Sequence, residues 1–348
     1  KNVISMSVGE PDFVTPWNVC QAAIDSIERG ETHYTSNSGM PELRALIEQY
    51  LAERFRVHYK PEQMLVTVGA SEALDLAFRA LLNPGDEVLI PAPSYVSYEP
   101  GVRFAHGVSV PIVTEEQDDF VIRPENIERA ITPKTKLLVI PYPNNPTGVV
   151  YNEETIRAIA AVLAKKEQEY GHAIYLISDE PYRELVFDGA SVPWIPNDYK
   201  NTIVAYSFSK SLSLPGDRIG YLALRSEVED FENIVAAVAV ATRITGFINA
   251  SGLQQLVCAR CCDETVDISF YDKNRKRLYD ALTAYGYEMP KPEGAFYLFM
   301  KTPTENDLEF VEKIKEHRIL LTPGSGFGCP GYVRIAYCVA PGTIEGAL

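Results

Sequence analysis

Short apolar runs alternate with longer amphipathic segments between residues 64 and 225, and this alternation constrains the fold more than any other feature. Segment 152–170 has helical periodicity, with Asn152 as a candidate N-cap. Strands that alternate with helices form βαβ units around a parallel sheet. The sequence therefore predicts an α/β fold, with a three-layer αβα large domain built on a mostly parallel sheet. The predicted strands are 64–68, 87–90, 135–140, 173–178, 202–206 and 219–224.

A second, smaller domain is expected because the chain has 348 residues. Single hydrophobic cores stop growing near ~250–300 residues. Beyond about residue 250, the helical segment 271–286 precedes two strand-like runs, 294–300 and 331–339, which indicates an α+β layer. We expect the large domain to comprise residues 34–244. The small domain would combine residues 1–33 with residues 245–348.

The formal net charge of −15 argues against a nucleic-acid partner, which needs a basic face. No apolar run approaches the ~18 residues of a membrane span, and no signal peptide is visible. Only Cys258–Cys262 resembles a cysteine motif, and a buried helical face explains it better than a zinc site. We therefore expect a cytoplasmic protein with free thiols and no metal, membrane or nucleic-acid partner.

Polar residues follow five of the predicted strands. In open α/β sheets, ligands lie outside the carboxyl ends of the strands. Each residue also has an ordinary interpretation: a turn, a helix cap, a core tyrosine or a surface lysine. Together, however, they direct functional groups toward one edge of the sheet. The residues are Gly69, Ala70 and Ser71, then Tyr95, then Asn144 and Asn145, then Asp179 and Tyr182, and finally Ser207, Ser209, Lys210 and Arg218.

Pyridoxal 5′-phosphate requires such a set of groups. Its aldehyde forms a Schiff base with an amine, and a carboxylate keeps its ring nitrogen protonated. Its phenolate oxygen needs donors such as an amide and a phenol. Its phosphate needs an arginine, hydroxyls and helix N–H groups, and its ring packs against an aromatic face. The sequence therefore predicts a pyridoxal 5′-phosphate site.

The stretch "SFSKSLSLPGDRIGY" (207–221) fits the pattern S-x-S-K-x(7)-R-x-G-Y. On this motif, and on similarity from "SVGEPDF" (7–13) to "GYVRIAYC" (331–338), the chain resembles the fold-type I pyridoxal-phosphate enzymes. It is most similar to class I/II aminotransferases of the aspartate-aminotransferase type. The resemblance places Lys210 at the Schiff-base position.

The resemblance also implies roles for the other residues. Asp179 would partner the pyridine nitrogen, Tyr182 and Asn145 would donate to the phenolate oxygen, and Tyr95 would stack on the ring. Arg334 would bind the substrate α-carboxylate, near Asn145 and beneath the segment of Gly9. Tyr34 would reach the phosphate of the other subunit, which implies a homodimer with shared active sites. The implied phosphate ligands are Ser207, Ser209, Arg218 and the backbone N–H groups of Ala70 and Ser71.

The departures from the family pattern concern the substrate. Some aspartate-specific relatives carry a lysine where this chain has Ser71. The sequence shows no clear match to the second arginine of dicarboxylate-specific members, and Arg243 is the candidate for that position. The identity of the amino-acid donor and of the 2-oxo-acid acceptor therefore stays open.

The implied reaction is ping-pong transamination between an L-amino acid and a 2-oxo acid. A β-lyase on the same scaffold is an alternative because it would use the same cofactor residues. A third possibility is a cofactor-sensing regulatory domain, but such proteins carry an N-terminal helix-turn-helix, which this sequence does not show.

Overall fold

The computed structural model describes residues 3–12, 14–261 and 264–348. Cys262, part of the cysteine motif, and Phe13 lie outside the described residues. The strands in the described part are β1 (Ile4–Ser5), β2 (Met64–Thr67), β3 (Glu87–Ala92), β4 (Val108–Val113), β5 (Thr135–Pro141), β6 (Tyr175–Asp179), β7 (Thr202–Ser207), β8 (Gly220–Leu224), β9 (Tyr297–Lys301), β10 (Ile319–Leu320), β11 (Thr322–Pro323) and β12 (Tyr332–Ala336). The α-helices there are α1 (Trp17–Glu28), α2 (Pro41–Phe55), α3 (Gly69–Leu81), α4 (Tyr98–Phe104), α5 (Pro124–Ala130), α6 (Glu153–Tyr170), α7 (Phe208–Ser211), α8 (Phe231–Ile244), α9 (Gly252–Cys261), α10 (Ile268–Ala284), α11 (Asp307–Glu316) and α12 (Pro341–Ala347).

The large sheet has the strand order β2-β8-β7-β6-β5-β3-β4. All of its neighbouring pairs are parallel except those of β8, which runs antiparallel to β2 and β7. The prediction of a mostly parallel sheet is therefore confirmed. Strand β4 was missing from the predicted set. It lies at the edge of the sheet and contains Pro111, whose missing N–H is tolerated there.

Helices cover both faces of this sheet. Alternate residues along a strand enter opposite cores, as period-2 geometry requires. Ile203 and Ala205 pack toward α3 and α8, whereas Val204 and Tyr206 pack toward α2 and α9. Helices α5 and α6 cover the second face beside β5 and β6. The three-layer αβα architecture is confirmed.

A smaller α+β layer follows in the chain, also as predicted. Strands β11, β12 and β9 form an antiparallel sheet, and α10, α11 and α12 contribute to the apolar cluster around it. Strand β1 pairs in parallel with β10, and the Met6 carbonyl accepts a hydrogen bond from the Ala336 N–H. The N-terminal residues therefore pack on this smaller layer.

The predicted domain boundaries at residues 33/34 and 244/245 stay a prediction. Two helices outside residues 34–244 contact the large sheet. Val19 of α1 and Val257 of α9 belong to the same apolar cluster as Val204 of β7. None of the helices in the described part of the chain has the length and apolar character that a bilayer crossing requires.

Two glycines bring β8 against the start of α3. A Cβ atom on Gly220 would overlap the carbonyl oxygen of Tyr206 and lie 3.0 Å from the carbonyl carbon of Gly69. Both obstacles are backbone atoms, so a side chain at position 220 cannot be accommodated by rotamer changes.

We therefore expect Gly220→Ala to lower the free energy of unfolding by about 1–3 kcal/mol through overpacking. Urea denaturation would measure the loss. Gly216→Ala is the control, because a Cβ atom there meets nothing within 4 Å. Equal midpoints for the two variants would contradict the close approach.

Candidate active site

A cavity of about 410 Å³ lies at the carboxyl ends of the central strands. Its wall combines residues from the large sheet, the smaller layer and the N-terminal segment. The structure brings together in this wall twelve of the residues that the sequence singled out. Gly69, Asn144 and Arg243 do not line the cavity, and Tyr34 has a side chain that is 96% exposed and lies elsewhere on the surface. The predicted residues that line the cavity are Gly9, Ala70, Ser71, Tyr95, Asn145, Asp179, Tyr182, Ser207, Ser209, Lys210, Arg218 and Arg334.

Lys210 lies in the single turn of α7, directly after β7. The Ser207 hydroxyl caps this turn by accepting a hydrogen bond from the Ser209 N–H at 3.2 Å. Lys210 Nζ donates to the Gly9 carbonyl at 2.6 Å and lies 5.4 Å from the ring centroid of Phe296. Burial lowers the pKa of Lys210 to about 8, because removal from water penalises the ammonium form. A substantial fraction of this amine is therefore unprotonated near pH 8.

Asp179 ends β6 and is buried. Its Oδ2 accepts a hydrogen bond from the Tyr98 hydroxyl at 2.6 Å. Its Oδ1 is also buried and has no hydrogen-bond partner among the described residues. Burial raises the pKa of Asp179 to about 7, although the Tyr98 hydrogen bond opposes that shift. An acceptor atom is thus available for a donor from a bound molecule.

Tyr98 was not predicted as a site residue. It follows Tyr95 by three residues, and the two rings meet edge to face with centroids 5.6 Å apart. The spacing of the two tyrosines was visible in the sequence. The partner carboxylate was not, because Asp179 is 81 residues away along the chain.

Two tyrosines share a hydrogen bond at the opposite wall. The hydroxyls of Tyr182 and Tyr297 are 2.8 Å apart. Burial raises the pKa of Tyr182 well above its ordinary value, so its phenol stays protonated and can donate. A Cβ atom on Gly9 would overlap the Tyr297 hydroxyl, so the N-terminal segment can approach this wall closely only with glycine at position 9. Tyr297 was also missed, because it lies within an ordinary apolar strand.

Arg334 presents its guanidinium to the cavity from β12. Nη1 donates to Asn145 Oδ1 at 2.9 Å, and Nη2 donates to the Ser7 carbonyl at 2.6 Å. The guanidinium carbon lies 4.4 Å from the ring centroid of Tyr297 and 4.8 Å from that of Phe327. Two aromatic faces therefore fix the plane of this cation. The contribution of Phe327 was not predicted.

An anion-binding corner lies where α3 begins. The first N–H groups of a helix lack intrahelical partners, and the helix dipole favours negative charge there. A Cβ atom on Gly69, which has φ of +76°, would lie 2.8 Å from Nη2 of Arg218, so glycine lets the arginine approach the helix start. The hydroxyls of Ser207 and Ser209, 2.8 Å apart, line the same cavity. This corner has the donor set that a phosphate requires.

The site as a whole pairs a deprotonable amine with an unpartnered buried carboxylate oxygen and an anion corner. The fold is that of the fold-type I pyridoxal-phosphate enzymes. The chain belongs to the aminotransferase class I and II family, whose family model matches residues 1–348. Members of this family use pyridoxal phosphate.

Known relatives extend over the whole chain. An aspartate/prephenate aminotransferase of Thermus thermophilus is 35% identical, with 100% of this chain and 89% of that protein covered. An amino transferase structure from Eubacterium rectale superimposes with a TM-score of 0.95 at 39% identity, covering 99% of this chain and 88% of that one. The aspartate aminotransferase of Thermus thermophilus with maleate gives a TM-score of 0.90 at 32% identity, covering 99% and 90%.

These similarities confirm that the chain is an aminotransferase, an enzyme that transfers amino groups. The alternatives of a β-lyase and of a regulatory domain are not favoured.

The raised pKa of Asp179 makes the stability of the cofactor-free chain depend on pH. Because the folded state holds this proton more tightly than the unfolded state, the free energy of unfolding decreases as the pH rises from about 4 to about 7. Between pH 5 and pH 8, we expect the free energy of unfolding to decrease by about 2–3 kcal/mol less in Asp179→Asn than in the parent chain. Urea denaturation of both chains at the two pH values measures this difference. Identical pH dependence in both chains would show that the carboxyl titrates normally.

Proposed function

We propose that this chain binds pyridoxal 5′-phosphate through Lys210 and transfers an amino group from an L-amino acid to a 2-oxo acid. The observation that carries the proposal is the unpartnered, buried Oδ1 of Asp179 in the same cavity as the Lys210 amine. A protonated pyridine nitrogen is the donor that such an oxygen lacks. When bound, the cofactor supplies an electron sink for the negative charge that develops at the substrate Cα.

The cofactor would be held by residues at the ends of several strands. Asp179 would accept the hydrogen bond of the ring nitrogen, with its other oxygen engaged by Tyr98. Tyr182 and Asn145 would donate to the phenolate oxygen, and Tyr95 would pack against the ring. The phosphate would be held by Ser207, Ser209 and Arg218 together with the N–H groups of Ala70 and Ser71.

Lys210 and Arg334 would act directly on the substrate. The lowered pKa of Lys210 supports its role as the base that takes the proton from the substrate Cα, since a catalytic pKa near the operating pH is the most effective. Arg334 would bind the α-carboxylate through two N–H groups. Its flanking rings, Tyr297 and Phe327, would keep the carboxylate and the Cα–H bond in one orientation.

The donor is best identified by experiment. Relatives of this chain are named for aspartate and prephenate, whereas Ser71 replaces a lysine of some aspartate-specific enzymes. Amino acids with acidic, aromatic and aliphatic side chains would be offered with 2-oxoglutarate or pyruvate. The change in cofactor absorbance during the first half-reaction reports the donor, and product analysis reports the acceptor.

We expect Lys210→Ala to lose multiple turnover while keeping the fold, because no other amine replaces Nζ in the cavity. Turnover with the best donor and a far-ultraviolet circular dichroism spectrum measure the two effects. Lys136→Ala is the matched control. That lysine lies over the ring of Tyr175 near the start of β5, whereas the cavity lies at the carboxyl ends of the strands. Full turnover of Lys210→Ala without added amine would exclude the assignment.

We also propose a homodimer. Four exposed apolar residues lie at the end of α8 and just beyond it: Val240, Ile244, Phe247 and Ile248. Asn249 Nδ2 donates to the Thr35 hydroxyl at 2.9 Å, so the exposed Tyr34 lies beside this patch. Arg243 and residues 36–38 line a neighbouring cavity. Tyr34, the residue that the resemblance directs toward another subunit, therefore lies beside these exposed apolar residues, and an exposed apolar patch supports an interface.

A charge in this patch should separate the subunits. We expect Phe247→Glu to shift the protein from dimer to monomer in sedimentation velocity experiments and to lower activity with it. Tyr285→Glu is the control, because Tyr285 is similarly exposed but lies on the smaller layer. A parent protein that sediments as a monomer, or a Phe247→Glu variant that remains dimeric, would contradict the proposed interface.

The cytoplasm is the compartment that we propose. Cys20, Cys329 and Cys338 are free thiols, which suits a reducing environment.

A further inference from the structure

A buried chain of hydrogen bonds lies behind the cavity and ends at the turn that carries Lys210. Glu184 Oε1 accepts hydrogen bonds from the Tyr50 hydroxyl at 3.0 Å and from the Tyr206 hydroxyl at 2.9 Å. The Tyr206 hydroxyl is also 2.9 Å from the Ser211 hydroxyl. Glu184, Tyr206 and Ser211 are all buried, and none of them lines the cavity.

The direction of these bonds follows from the number of protons. A phenol has one proton, and Glu184 Oε1 is an acceptor because it also accepts from the Tyr50 hydroxyl. Tyr206 therefore donates to Glu184 and accepts from Ser211. In this arrangement the carboxylate orients the phenol, and the phenol in turn orients the serine, which is the residue directly after Lys210.

The turn that holds Lys210 needs such an anchor. Helix α7 has four residues, and a single helical turn is not stable by itself. The Leu212 N–H closes the turn by donating to the Phe208 carbonyl. Two further backbone bonds tie the turn to its surroundings, from the Phe208 N–H to the Ile219 carbonyl and from the Val266 N–H to the Ser211 carbonyl. The Ser207 cap holds the start of the turn, and the Ser211 hydroxyl holds its end. Lys210 lies between these two attachments.

Glu184 is itself held in a rigid segment. The neighbouring Arg183 is buried, forms an ion pair with Glu180 and stacks 4.3 Å from the ring centroid of Trp194. The same segment begins with Asp179. Segment 179–184 therefore carries the carboxylate of Asp179 at its start. At its end, Glu184 is linked to the Ser211 hydroxyl, beside Lys210, through the Tyr206 hydroxyl.

We propose that Glu184 is a positioning residue, which fixes Lys210 through the Tyr206 and Ser211 hydroxyls. The proposal rests on the proposed role of Lys210 in transamination. Glu184 contacts neither the cavity nor the amine, so its effect on the reaction passes through the geometry of α7. Loss of the Tyr206 hydroxyl would release the Ser211 side chain and leave the end of the turn held by the Val266 N–H, which donates to the Ser211 carbonyl, so that the lysine could move toward water.

The decisive variant is Tyr206→Phe, which removes both hydrogen bonds and keeps the ring. Trace acetylation of the full chain, after hydroxylamine treatment and dialysis to remove any bound cofactor, gives the pH midpoint of Lys210 labelling by mass spectrometry. We expect the midpoint to rise from about 8 toward the ordinary lysine value of about 10.4, because the amine is less buried. In the holoenzyme, kcat should fall about 10-fold with little change in KM.

The groups that act electrostatically on Lys210 are unchanged in this variant. They are Cys338, Glu10, Arg218 and Arg334. A shifted midpoint therefore reports movement of the amine and not a new charge. Tyr199→Phe is the matched control, since it removes another buried phenol that donates to the Ile174 carbonyl, away from the cavity. It should lower the melting temperature and leave the midpoint unchanged.

Two more variants test the route. Ser211→Ala should reproduce the midpoint of Tyr206→Phe, and the double variant should add nothing further, because both interrupt one chain. Glu184→Gln keeps an accepting oxygen and should retain the parent midpoint. A parent midpoint in Tyr206→Phe or in Ser211→Ala, with only the stability lowered, would overturn the proposal. A shift in Glu184→Gln equal to that of Tyr206→Phe would also overturn it, because charge would then be responsible.

The two proposals fail in different ways. If Lys210→Ala retained turnover, the proposed function would be wrong. The labelling midpoints would still show whether the hydrogen-bond chain fixes the amine.

Discussion

The burial of Asp179 is the constraint on which the rest of the site depends. A carboxylate removed from water is costly unless it is paired, and among the described residues only one of the two Asp179 oxygens has a partner. The fold tolerates this cost because β6 is a central strand of the large sheet, with neighbours on both sides. A ligand that brings a proton on nitrogen would satisfy the second oxygen. The buried carboxylate therefore lowers the stability of the chain without a ligand and favours binding of a ligand that donates a hydrogen bond.

The same geometry explains why the amine and the carboxylate face one cavity. Asp179 ends β6 and Lys210 follows the end of the neighbouring strand β7, and these strands are parallel. Two chain segments far apart in sequence therefore meet at one sheet edge without a long loop. Burial shifts the two pKa values in opposite directions, upward for Asp179 and downward for Lys210, because it penalises the charged form of each.

The sequence predicted the central strands and most of the cavity wall, because strand periodicity and the lysine motif are local signals. Strand β4 was missed because a proline at an exposed edge looks like a strand breaker. Tyr98, Tyr297 and Phe327 were missed for a different reason. Each acts on a partner distant in sequence, so the signal exists only in the folded chain. The contacts of α1 and α9 with the large sheet are tertiary in the same sense.

A reactive lysine needs freedom at its amine and little freedom at its backbone, and the structure separates the two requirements. The amine faces the cavity, where it donates to a carbonyl that a bound ligand can replace. The backbone of α7 is held by a serine cap at one end and by the hydroxyl chain from Glu184 at the other. Glu184 follows Asp179 by five residues, so one short buried segment contacts the cavity through Asp179 and the turn of Lys210 through the Tyr206 hydroxyl.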